Sequence, residues 1–150
     1  MPKKATTPAP ARRSGYELFL RSAKLYGIWL DSSMATINRE QYWKSVKSKD
    51  SMTREIAAKY KAEEVEGNHF DVVAEFALKI TNKADETTLL EIHCKYSAHF
   101  HTKTDCTSAA AEQFATSEGK IIVWPYFRNF VSDITARMHI PPITVPLALE

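Results

Sequence analysis

The sequence predicts an α+β domain in which a four-stranded antiparallel sheet carries helices on one face. Residues 54–101 alternate apolar and polar side chains in three segments, a pattern typical of strands with one buried face. Short polar turns separate these segments, so neighbouring strands are expected to pair in antiparallel fashion. Residues 121–142 instead place apolar side chains at spacings of three and four, which is typical of an amphipathic helix. Strands followed by helices along the chain favour the α+β class.

The composition is that of one globular domain. The chain has 150 residues, 44% of them hydrophobic and 25% charged, which is enough apolar material to bury a core. The formal net charge of +2 gives no strong field for nucleic acid or an anionic membrane. No apolar run approaches the roughly 20 residues of a membrane-spanning helix. We therefore expect neither nucleic acid nor a membrane as a partner.

The first fifteen residues, MPKKATTPAPARRSG, are basic and rich in proline and alanine. They contain no apolar segment of the kind that a secretory signal needs. We interpret residues 1–15 as a disordered arm and residues 16–150 as the folded domain. The two cysteines, Cys94 and Cys106, stand in no motif spacing, which favours a reducing cytoplasm.

The first two thirds of the chain are predicted to form the sheet. Tyr16–Ala23 is expected to form one or two helical turns, and Lys24–Ala35 a strand with a bulge near Gly27. Thr36–Thr53 is polar, lacks steady periodicity and is predicted to be a long connection. The remaining strands are predicted at Arg54–Glu66, Phe70–Ile80 and Leu89–His101, joined by turns at Gly67-Asn68 and Thr81–Thr88.

The last third is predicted to form two helices. The shorter one spans Thr107–Ala115 and is capped by Asp105 or Thr107. The longer one is expected to open at Trp124-Pro125, because proline is favoured at the first helical position. Pro141-Pro142 ends it, since proline cannot continue a helix. Its apolar face consists of Phe127, Phe130, Val131, Ile134 and Met138.

A histidine- and cysteine-rich stretch is the candidate for metal binding. Its members are His93, Cys94, His99, His101 and Cys106. On a strand the three histidines share one face while Cys94 points to the other, and the spacing of known zinc motifs is missing. We therefore interpret the histidines as a polar strand face and expect no metal.

Motifs for catalysis are absent from the sequence. No nucleophile elbow, glycine-rich phosphate loop or H-E-x-x-H motif occurs. With four glycines, the chain has little material for close backbone approach to a phosphate. We expect no enzymatic activity and no cofactor, with a small-molecule enzyme of another type as a remaining alternative.

An RNA-binding sheet protein is the second function that the residues allow. Basic side chains lie on both sides of Tyr42 and Trp43, and four-stranded sheets with aromatics bind RNA in several modules. The polar face predicted here carries His, Lys and Glu, without stacked aromatics or an RNP-like motif. This function is therefore kept only as an alternative.

Two aromatic-rich segments favour a groove for apolar peptides. Tyr42 and Trp43 lie in the predicted long connection, where no pattern requires them to be buried. Residues 121–124 form an apolar run before the long helix, preceded by Phe114. The alternative is that these side chains belong to the core, which for Ile122 and Phe127 is at least as well supported.

The segment WPYFRNFVSDITARMHIPPITVPL resembles the C-terminal half of SecB-type chaperones, where Pro-Tyr and a basic residue open a long helix followed by an extended segment with prolines. The resemblance covers residues 24–147, and its most specific part is Trp124–Pro142. It implies a cytoplasmic, ATP-independent holdase, assembled as a dimer of dimers, that binds non-native polypeptide. The residues it implies for client binding are Tyr42, Trp43, Phe114, Ile122, Trp124 and Phe127.

Two departures from the export chaperones bear on the client. The chain is net basic and stops at Glu150, eight residues after Pro142, without a Cys/His-containing tail. We therefore do not expect it to dock on the SecA motor. The PPITV ending is closer to SecB-like proteins dedicated to one antitoxin in toxin–antitoxin–chaperone systems. The expected client is an antitoxin, with a preprotein for export as the alternative.

Overall fold

The computed structural model describes residues 15–147, which form four strands and four α-helices. The strands are β1 (Lys24–Ile37), β2 (Met52–Glu66), β3 (His69–Asn82) and β4 (Thr88–His101). The helices are α1 (Gly15–Ser22), α2 (Arg39–Lys47), α3 (Ser108–Phe114) and α4 (Lys120–Arg137), and a π-helical segment at Ala115–Gly119 joins α3 to α4. Of the predicted arm, residues 1–14 lie outside the described residues, and Gly15 begins α1.

The four strands form one antiparallel sheet in the order β1-β4-β3-β2. Strands β2, β3 and β4 are joined by turns, whereas β1 lies on the far side of β4 and is connected to β2 through α2. Gly67 has a φ of +56° in the β2–β3 turn, a conformation that glycine adopts readily. The α+β class and the four predicted strands are confirmed, and a register shift between Leu25 and Gly27 confirms the bulge.

One face of the sheet forms the core. Alternate residues of β3 and β4, including Phe76, Leu78 and Ile92, are buried. The helices cover this face unevenly: α3 and the π-helical segment contact β2, and α4 contacts β3 and β4. Strand β1 therefore lies at an edge that the helices leave largely uncovered. Within residues 15–147, no helix combines the length and apolarity needed to cross a membrane.

The predicted long connection at Thr36–Thr53 does link β1 to β2, but it contains α2, a helix that the sequence reasoning did not predict. The side chain of Asn38 caps this helix by accepting a hydrogen bond from the Gln41 amide at 3.3 Å. On its buried face Ser45 Oγ accepts a hydrogen bond from Asn82 Nδ2 at 2.9 Å. These contacts to a distant part of the chain stabilise a short helix whose sequence has weak periodicity.

The predicted start of the long helix at Trp124-Pro125 was wrong. Helical structure runs without interruption from α3 through the π-helical segment into α4, and Pro125 lies inside α4. Because proline has no amide hydrogen, the carbonyl of Ile121, four residues earlier, loses its helical donor. Ile121 is exposed, so water can satisfy that carbonyl instead. Of the two predicted caps for α3, Thr107 is the one observed, with its Oγ1 3.2 Å from the Ala110 amide nitrogen.

The π-helical segment brings the helix backbone close to the sheet. A Cβ atom added at Gly119 would lie 2.9 Å from Val72 Cγ1, closer than real contacts allow. Glycine at this position therefore permits a close approach between the helix and β3. The sequence analysis predicted two separate helices, ending at Ala115 and opening at Trp124, whereas in the structure the wider turn of the π-helical segment joins them.

Candidate functional site

The six residues proposed to bind client lie in three separate places. Tyr42 and Trp43 are on α2, and their rings meet edge to face at 5.8 Å. Tyr42 is buried, whereas Trp43 is partly exposed. Helix α2 begins beside Leu89, since the Asn38 amide donates to the Leu89 carbonyl at 2.9 Å. This pair therefore lies at the end of the sheet where β4 starts.

Phe114 lies at the opposite end of the sheet, inside an aromatic cluster. Its ring is 4.9 Å from Phe100, 5.2 Å from Phe70 and 6.2 Å from Phe19. Leu89 and Phe100 are separated by eleven residues of β4, or about 37 Å of strand. Phe114 and Trp43 therefore do not line one groove within a single chain.

Trp124 and Phe127 pack over the middle of the sheet. Phe127 stacks on Phe76 at 4.6 Å, and Trp124 approaches Phe76 at 5.8 Å. Both side chains are buried, and the Trp124 indole N–H donates to the carbonyl of Pro146 at 2.8 Å. Ile122 is partly exposed. In this structure, a bound polypeptide could reach Trp43 and Ile122 without rearrangement, whereas the other four side chains belong to the core.

Trp43 lies in an open groove on the surface of α2. The groove has a volume of about 630 Å³, and its lining includes Arg39, Lys44 and Lys47 together with Glu40. An indole surrounded by basic side chains suits a ligand that carries an apolar side chain next to acidic ones.

Strand β1 also carries exposed apolar side chains on both faces of the sheet, which the sequence reasoning did not assign to the site. Five large apolar side chains of this strand are 43–68% exposed: Leu25, Tyr26, Trp29, Leu30 and Met34. One indication was present in the sequence: β1 carries apolar residues at both odd and even positions, unlike the strands that alternate. Between β1 and α4 an open groove of about 370 Å³ is lined in part by Phe130 and Ile134.

The polar face of the sheet contains the histidines of the metal candidate. His93 Nε2 lies 2.9 Å from Glu91 Oε1, and this hydrogen bond lowers the pKa of the Glu91 carboxyl. His99 Nδ1 is hydrogen-bonded to Asp71. Burial raises the pKa of the Cys94 thiol to about 12, so it stays protonated near neutral pH. Among residues 15–147 no three potential ligands lie together.

Aromatic side chains are present on this polar face, contrary to the expectation from sequence. The Trp29 ring meets His99 edge to face at 4.2 Å, and the Tyr26 ring lies 4.0 Å from His101. Both aromatics come from β1, whose position beside β4 is a tertiary feature. The sequence pattern of β4 alone could not reveal them.

The described residues form an α+β domain with open surface grooves. Its sheet is covered by helices on one face, and the grooves have apolar side chains in their linings. The family model for SecB, the preprotein translocase subunit, matches residues 23–147. The chain belongs to the SecB family and is an ATP-independent holdase chaperone; SecB is a chaperone family and not an enzyme family.

One solved structure supports the fold. The SecB-like chaperone Rv1957 of Mycobacterium tuberculosis, in complex with a ChAD peptide from the antitoxin Rv1956 HigA1, aligns with a TM-score of 0.71 at 20% identity. The alignment covers 87% of this chain and 94% of that one. A protein of unknown function from Streptococcus agalactiae aligns with a TM-score of 0.47 at 9% identity, over 83% of this chain and 96% of that one. No curated protein matches the sequence.

Proposed function

We propose that this chain holds an antitoxin in a toxin–antitoxin–chaperone system, in the cytoplasm, by binding an extended apolar segment of it. The observation that carries the proposal is the open groove around Trp43, whose basic surroundings suit an apolar segment with acidic neighbours. The Mycobacterium chaperone of the same fold binds an antitoxin peptide, which supports this client class. Trp43 and Ile122 are proposed as contacts available before any rearrangement, whereas Trp124 and Phe127 are buried and would contact a client only after one.

The client is tested by suppression of aggregation. Purified chaperone should prevent light scattering by the antitoxin encoded beside its gene. It should be much less effective on an export preprotein that carries its signal sequence. The reverse preference would make the chain an export chaperone, and suppression of neither would contradict the holdase proposal. A genome without a neighbouring toxin–antitoxin pair would contradict the antitoxin client.

We also propose that the chain assembles as a dimer of dimers through the edge of β1 and the outer face of α4. The other edge strand, β2, is protected from pairing, because Glu112 Oε2 accepts the hydrogen bond of the Ala62 amide at 2.9 Å. A register shift between Glu63 and Glu66 further distorts that edge. Strand β1 has exposed apolar side chains instead, so antiparallel pairing with β1 of a second copy would cover them.

The assembly is tested by light scattering for mass. Four chains of 17.0 kDa give a tetramer of about 68 kDa. Leu30→Arg places a charge on the exposed part of β1 and should reduce the mass to that of smaller species. Thr116→Arg, at an exposed position away from β1, is the control and should leave the mass unchanged. A monomeric wild-type chain at micromolar concentration would contradict the proposal.

A further inference from the structure

The segment after α4 folds back over the domain and is held through its backbone. Arg54 Nη1 donates to the carbonyl of Thr144 at 2.6 Å. Arg128 Nε donates to the carbonyl of Val145 at 3.2 Å, and Trp124 Nε1 donates to that of Pro146 at 2.8 Å. Three successive carbonyls therefore each accept a hydrogen bond from a different side chain.

The place where residues 144–146 lie, which we call the groove, is lined by the three donors on α4 and β2. Trp124 and Arg128 are four residues apart, so they lie one above the other on the same face of α4. Arg54 reaches the segment from β2. Val145 is bonded to Arg128, and the next residue, Pro146, is bonded to Trp124, one turn earlier on the helix. The segment therefore runs antiparallel to α4. The indole of Trp124 is fixed by its contacts with Phe76 and Phe127.

Among residues 144–146 one side chain anchors the segment, and the preceding Ile143 is partly buried against the core. Val145 is only 3% exposed and belongs to the apolar core, whereas Thr144 and Pro146 are exposed. The groove therefore recognises main-chain carbonyls, which every polypeptide has, and one branched apolar side chain. Pro141, Pro142 and Pro146 restrict the backbone to extended conformations, which suits this arrangement.

We propose that the groove formed by Arg54, Trp124 and Arg128 is a binding site for extended polypeptide, and that residues 144–146 occupy it until a client segment displaces them. This inference rests on the proposed holdase function and names one of its binding subsites. The client segment would be extended, with a valine- or isoleucine-like anchor at the position of Val145. Exchange is possible without unfolding the sheet, because the Arg54 bond is exposed and water can replace it.

Because residues 144–146 occupy the groove, a client segment must compete with them in order to bind. A segment tethered to its own site competes at an effective concentration in the millimolar range. Weakly binding polypeptides would therefore be excluded, whereas a segment with a good anchor and several further contacts would displace residues 144–146. This provides selectivity in a site whose hydrogen bonds are independent of sequence.

The test measures binding of a fluorescein-labelled peptide with the sequence of residues 141–147, PPITVPL, to the full-length chain by anisotropy. Val145→Ala weakens the internal competitor, so this variant should bind the peptide about tenfold more tightly than the wild type. Val145→Asp should give a larger increase. Leu147→Ala, at a position that is 80% exposed, is the matched control and should behave as the wild type. The peptide PPITDPL should bind to none of them.

Equal affinity of the peptide for wild type and Val145→Ala, or equal affinity of the two peptides for Val145→Ala, would overturn the inference. If circular dichroism shows that Val145→Asp does not fold, the milder Val145→Ala decides. Aggregation of the antitoxin is followed with the same samples. Suppression by the wild type without peptide exchange in Val145→Ala would contradict the inference alone, whereas absence of suppression would contradict the proposed function.

Discussion

Replacing Phe127 by alanine is expected to lower the free energy of unfolding by about 3–5 kcal/mol. The Phe127 side chain is fully buried and stacks on Phe76 with ring planes 8° apart. It also contacts Trp124 at 5.4 Å, so its removal leaves a cavity bounded by two aromatic rings and the sheet. Because whole domains are stable by about 5–15 kcal/mol, this is a large part of the total.

The measurement is urea unfolding followed by far-UV circular dichroism at fixed protein concentration, since assembly also contributes to stability. Asn129→Ala is the matched control, because Asn129 is an exposed residue on the same helix. Its effect should stay within about 0.5 kcal/mol. A loss below about 1 kcal/mol for Phe127→Ala would show that α4 does not depend on this contact with the sheet.

Replacing Trp43 by alanine is expected to weaken client binding by about 1–3 kcal/mol, or roughly five- to 150-fold in Kd. Trp43 is a large, partly exposed aromatic residue in the groove on α2, so it can bury apolar surface of a client without moving out of the core. The variant should retain the fold, because Tyr42 and Ser45 provide the buried contacts of α2.

Client affinity is measured by titrating a labelled antitoxin peptide, together with suppression of antitoxin aggregation. Val46→Ala is the control: Val46 is an exposed apolar residue of α2, and it does not line the groove around Trp43. Its affinity should remain within about twofold of the wild type, an effect typical of a residue outside a binding hot spot. Equal affinity of wild type and Trp43→Ala would remove Trp43 from the proposed site.

The strands were predictable because their signal is local. The alternation in Phe70–Ile80 records directly which side chains face the core, and the structure buries Phe70, Phe76 and Ile80 as expected. Helix α2 was not predictable in this way. Its sequence, REQYWKSVK, has few apolar residues, and its stability depends on contacts with Asn82 and Leu89, which are distant along the chain.

The candidate site was only partly predictable for a related reason. Aromatic residues serve equally well in a core and in a peptide groove, so sequence alone does not separate Phe127 from Trp43. The separation comes from packing: Phe127 lies over Phe76, whereas Trp43 lies at the edge of the domain. The role of Val145 could not be predicted from the sequence either, because it depends on residues 141–147 folding back onto α4.

By itself, the sequence determined the class of the fold, the number of strands and membership of the SecB family, because hydrophobic periodicity and the Trp124–Pro142 motif are properties of neighbouring residues. Only the tertiary structure decided the position of β1 beside β4, the uninterrupted helix through Gly119 and the placement of the aromatics. Each of these depends on contacts between residues far apart in the chain. Such contacts, including the close approach of Gly119 to Val72, leave no periodic signal in the sequence.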